Sequence, residues 1–235
     1  MSGESTRWSW SLVPILCCLV AIVFVSTGHA TTITLGATHS GWYDQTGFHD
    51  DNPNYIDGVC CGNGEHRDFF VFDLPGVTGK VVGATLRLFN PFTGYISPDA
   101  TETYTVFSVA TPISALITGG SGLTGIFDDL ASGAIYGSRV VSAADDNTVV
   151  EIILNANAAT DINAVLGRSF AIGGAITTLQ GTAPFSPFAP EEVIFSLTGD
   201  GSRQLVLTIV PEPAALLLFI TGLITLCAGA FLRFL

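Results

Sequence analysis

Residues 68–74 read DFFVFDL, Pro75-Gly76 follow, and residues 80–89 read KVVGATLRLF. This stretch predicts two strands around a turn. In the second, Val82, Ala84, Leu86 and Leu88 fall on one face and Thr85 and Arg87 on the other, the period of two expected of a half-buried strand. Working outward, residues 31–35 (TTITL) form a β-branched, alternating first strand. Residues 103–109 place Tyr104, Val106 and Ser108 opposite Thr105, Phe107 and Val109. Further strand patterns cover 134–141, 148–154, 169–176, 193–197 and 204–209. Thr111-Pro112 starts a short helix running through Ile117, and residues 157–166 make another, ended at Gly167. Residues 36–66 and 119–125 read as loops. About nine strands with two short helices predict an all-β chain, an antiparallel β-sandwich of jelly-roll-like form. No period of 20–50 residues suggests a solenoid or propeller.

Composition narrows the function. Of 235 residues, 48% are hydrophobic and only 12% charged, with a single lysine, Lys80. Such a chain has enough apolar surface to fold. Residues 31–209 carry 6 basic and 18 acidic side chains, a surface that repels phosphate backbones and argues against nucleic acid as a partner.

Both ends read as targeting segments. Residues 1–30 have Arg7, an apolar stretch over 12–25, and small residues at Gly28 and Ala30, the pattern of a signal peptide cleaved after Ala30. Leu16 before Cys17 argues against a lipoprotein site. Residues 210–235 read VPEPAALLLFITGLITLCAGAFLRFL. Pro211 and Pro213 stop a helix from extending upstream. The uncharged run over 214–232 is 19 residues, enough as a helix to cross a hydrocarbon core of about 30 Å. Arg233 follows it. This order of parts resembles the PEP-CTERM sorting signal, carried here by Val210, Pro211, Glu212, Pro213 and Arg233. A lone arginine stands where the family has a basic cluster. The resemblance implies export by the secretory route and a precursor anchored in the inner membrane. It also implies recognition by an exosortase, then delivery to the cell surface or an extracellular matrix of exopolysaccharide or biofilm. The expected organisation is a signal peptide (1–30), a β-sandwich domain (31–209) and a sorting signal (210–235). Residues 67–74 followed by 81–88 are also similar to jelly-roll domains of secreted bacterial proteins, the DNRLRE group and carbohydrate-binding modules among them.

Chemistry-bearing residues gather in the 36–66 loop. Asp50, Asn52, Asn54 and Asp57 offer hard oxygens suited to calcium, although the EF-hand pattern fails after Asn54, and Asx turns use the same residues. No other cofactor is suggested. Trp42, Tyr43 and Tyr55, with Phe48, combine ring faces and nearby amides as a sugar-binding surface does; the same rings could close the end of a sandwich. Cys60 and Cys61 are the only cysteines of 31–209. An adjacent-residue disulfide, an intermolecular one, free thiols, or zinc with His66 are the alternatives. No nucleophile elbow, HExxH or phosphate loop is present, and Asp68 with Glu151 is the one carboxylate pair that invites a glycosidase reading. The expectation is a non-catalytic structural or adhesive protein. A carbohydrate-binding module, calcium-assisted or not, is the alternative, and a secreted glycoside hydrolase comes third.

Overall fold

Within DFFVFDL, residues 69–72 are buried on both sides, which is why the FFVF stretch is apolar without a break. Phe70, Phe72 and Leu74 enter one core, whereas Phe69 and Val71 enter a second. The structure is a computed structural model that describes residues 29–50, 52–62, 64–180, 191–195 and 202–211. Residues 1–28 of the expected leader (1–30), and the tail from Glu212 through the 214–232 run to Arg233, lie outside the described residues.

The described strands are β1 (Thr31–Gly36), β2 (His39–Asp44), β3 (Asp57–Cys60), β4 (Gly64–Asp73), β5 (Lys80–Asn90) and β6 (Glu102–Ser108). They continue with β7 (Ile135–Val141), β8 (Thr148–Leu154), β9 (Ser169–Ile176), β10 (Glu192–Ile194) and β11 (Arg203–Val210). Three short helices join them: α1 (Ile113–Leu116), α2 (Thr124–Asp129) and α3 (Ala156–Ala164). One sheet has the order β1-β11-β5-β8; the other runs β10-β3-β4-β9-β6-β7, with β2 on the far side of β4. Every pairing is antiparallel. The chain is an antiparallel β-sandwich, and residues Ala30–Val210 form one compact unit.

The main core lies between the sheets. Leu86 and Leu88 of β5, Ile152 of β8 and Leu205 and Leu207 of β11 face Phe70, Phe72, Tyr104 and Ile172. Each such side chain contributes about 1.5–3 kcal/mol on burial. The second core lies on the outer face of β4, where Phe69, Val71 and Tyr43 are covered by Leu116, Phe127 and Leu130 from the α1–α2 segment. Helix α3 begins where Asn155 accepts from the amides of Asn157 and Ala158 (2.9 and 3.2 Å). Its Ala158 and Ile162 join the main core.

Two expectations need correction. Residues 36–66 are not one loop, since β2 and β3 lie within them. Neither HSGWYD nor DGVC has an apolar period; both become strands because β4 offers them a buried edge. In β5, Val82 does not share a face with Ala84. The register against β11 shifts between Thr208 and Ile209. This bulge turns the strand by one position, so Val81 is 1% exposed and Val82 51%.

Strand directions set the two ends of the sandwich. Thr31 lies opposite Ile209, and Val210 opposite Lys80, at the end where β4 turns into β5. The β3–β4 hairpin, with Cys60 paired to Gly64, closes the other end.

Candidate functional site

Of the three loop aromatics, two are unavailable to a ligand. Tyr43 and Tyr55 are both fully buried. The Tyr43 hydroxyl donates to the Leu116 carbonyl (2.9 Å), and burial pushes its pKa up to about 12. The Tyr55 hydroxyl donates to the Phe89 carbonyl (2.8 Å). Only Trp42 is half-exposed, its ring 6.1 Å from Phe48 and edge-on to His66 at 4.7 Å.

The proposed calcium ligands do not converge. Asp50 is exposed, and the Asn52 side-chain oxygen is taken by the Asn54 amide (3.0 Å), an Asx turn. Asp57 is fully buried, its oxygens accepting from the amides of Ile176 (2.7 Å) and Asp68 (3.3 Å). Among the described residues no group of three or more His, Cys, Asp or Glu is placed to hold a metal ion.

Cys60 and Cys61 are bonded to each other. Cys61 has φ 61° at the hairpin tip, followed by Gly62 at 72° and Gly64 at 86°, a left-handed run in which glycine carries no steric cost. The Cys60 sulfur lies 3.9 Å from His66 Nδ1. With both sulfurs engaged, neither is a thiolate for zinc. The buried imidazole of His66 is held below its ordinary pKa by desolvation.

Asp68 and Glu151 are kept apart. Asp68 is buried in β4, whereas Glu151 projects from the exposed face of β8 and accepts from Arg87 Nε (2.9 Å). Asp68 belongs instead to a buried set that sequence reading missed. Its Oδ1 accepts from the Tyr104 hydroxyl (2.7 Å), its Oδ2 has no hydrogen-bond partner, and Asp57 stands beside it. Desolvation raises both carboxyls, Asp57 to about 8, and the charge of Asp57 pushes Asp68 further. Gly174 makes room for this bond, because a Cβ there would overlap both Tyr104 Oη and Asp68 Oδ1. The set is sealed from solvent, so its chemistry concerns the fold.

A recess opens where β1 passes into β2. It has a volume of about 280 Å³, with Arg203, His39, Ser40 and Asn52 among its polar walls and Phe69 and Ile117 among its apolar ones. Arg203 Nη1 donates to Ser40 Oγ and to the Pro53 carbonyl (both 2.9 Å). Its guanidinium lies 5.6 Å from the Tyr55 ring centroid. The recess wall also includes His49, whose Nδ1 is 2.8 Å from the Trp42 carbonyl. Sequence reading singled out Asn52 for calcium and passed over Arg203, since a basic residue opening a strand carries no signal of what it will face.

At the chain's ends, Ala30 is exposed just before β1, Val210 is the last residue of β11, and Pro211 is exposed beyond it. No protein-family model matches the chain, and no curated protein matches it either.

Proposed function

We propose that the chain is an exported, exosortase-sorted protein of the cell surface or extracellular matrix, non-catalytic, with a structural or adhesive role among exopolysaccharide. The observation that carries this reading is the register of β1 on β11, which sets Thr31 opposite Ile209. The described residues next to the two expected cuts, Thr31 and Val210, therefore lie on neighbouring strands at one end of the sandwich. A protein held by its tail in the inner membrane can lose its leader there without disturbing the ladder. The expected tail cut near 210–213 adjoins the last residue of β11, since Pro211 follows Val210 and has no amide N–H to add to a sheet. The Cys60–Cys61 bond fits an oxidising compartment.

Intact-mass measurement of the protein from its own host tests this. The expected mass runs from Thr31 to within 210–213. Retention of residues 214–235 would make it a tail-anchored protein instead, and retention of 1–30 would remove the cleaved leader.

A second reading, a specific carbohydrate-binding module, is favoured by the polar recess around Arg203. Its walls combine donors, hydroxyls and apolar side chains, the mixture that orients a sugar ring.

A further inference from the structure

We infer that the recess beside Arg203 is a subsite for an acidic sugar, with the guanidinium taking the carboxylate of a hexuronate residue. This rests on the carbohydrate-binding reading and names the class of glycan. Charge is the first argument. Arg67, Arg87 and Arg139 are each paired with a carboxylate, to Glu65, Glu151 and Asp145. Arg203, like the exposed Arg168, has no such partner among the described residues; Arg203 differs in lining a recess. Its Nη1 is held by two neutral oxygens, Ser40 Oγ and the Pro53 carbonyl. Those bonds fix the plane of the guanidinium without neutralising it. A planar fork held in place suits a carboxylate, which accepts two parallel N–H bonds from it.

Size is the second argument. A recess of about 280 Å³ lies just under the roughly 300–1,000 Å³ of drug-sized sites, which suits one sugar ring rather than an extended ligand. Lining chemistry is the third. None of the described lining residues is acidic, and His39 at the exposed rim offers a ring nitrogen. On a chain of net charge −12, most of the surface repels a uronate, so an arginine in a recess whose described walls hold no carboxylate gives it a place to dock. A neutral sugar would gain little from an uncompensated guanidinium.

Titration of the processed protein with tri-galacturonate and with a neutral galactose trimer, by calorimetry, tests the inference. The acidic trimer should bind about tenfold or more tightly than the neutral one. Arg203→Gln should abolish that preference, and raising salt should weaken it. His39→Glu places a negative charge at an exposed rim position, leaves the Arg203 anchors in place, and should also lower affinity for the acidic trimer. If Arg203→Gln fails to fold, that second variant decides. Equal binding of both trimers would overturn this inference while leaving a carbohydrate-binding module standing. Binding of neither at millimolar concentration would overturn both. Acidic binding indifferent to the variants would move the site elsewhere and overturn the assignment.

Discussion

Asp57 accepts from the amides of Ile176 and Asp68 near the point where β3 replaces β9 as the partner of β4. Its side chain thus satisfies backbone groups that the change of partner leaves without a strand carbonyl, a requirement for any buried amide. The cost is a carboxyl group in the interior, with Asp68 beside it and one oxygen of Asp68 without a hydrogen bond. Burial raises Asp57 from 3.8 to about 8 and carries Asp68 upward too. Below pH about 4 the group is protonated in both folded and unfolded chains. Between about 4 and 8 the unfolded chain releases the proton and the folded one keeps it, so folding stability falls as pH rises through that window and then levels. Asp68→Asn keeps an oxygen for Tyr104 and removes one buried acid. We expect its loss of stability between pH 5 and pH 8 to be shallower than the parent's. Its Tm at pH 8 should be higher by about 3 °C or more, read by thermal unfolding. An unchanged slope would mean that the pair does not control the pH response.

At the scale of elements, β4 and β5 show how far a pattern can be trusted. The unbroken apolar run of β4 was legible as a strand, and its two buried faces follow from the two cores it divides. The alternation of β5 was legible too, yet it put Val82 with Ala84. The bulge against β11 reverses that at the start of the strand. Alternation cannot reveal this, because Val81 and Val82 are chemically identical and only the partner's register separates them. Threonine substitutions make the difference measurable. Val81→Thr buries a hydroxyl and should cost about 1–3 kcal/mol. Val82→Thr on the exposed face should stay within about 0.5 kcal/mol. Urea unfolding of the two variants gives the comparison, and equal costs would mean that the bulge is misplaced. Strands β2 and β3 mark the opposite limit. Their sequences hold glycine, acids and few apolar residues, and they are extended because β4 has an edge to pair.

At the scale of the compact unit Ala30–Val210, the pairing of β1 with β11 brings the first and last strands together. A circular permutant tests this directly. Val210 joined to Thr31 through a short Gly/Ser linker, with new ends at the exposed Pro75–Gly76 turn, should retain the β-sheet circular dichroism spectrum and unfold cooperatively. Loss of cooperative unfolding in this permutant, with the same linker tolerated elsewhere on the surface, would contradict the adjacency.

Sequence alone determined the fold class, because strand period and turn residues are local properties that survive any arrangement of neighbours. It also set an expected β-sandwich domain at 31–209, since apolar runs and prolines at the ends differ in composition from the alternating middle; the structure has a compact unit over Ala30–Val210. The candidate site was legible only in part. Trp42 and Asn52 stood out by residue type, but Tyr43, Tyr55 and Asp57 did too, and these are buried. Whether a side chain faces water or a core depends on which strand lies across from it. For the same reason, only the tertiary structure could join Arg203 to Ser40, 163 positions away, and leave its charge without a carboxylate among the described residues. Strand pairing at long sequence separation decides such meetings, and no local pattern encodes them.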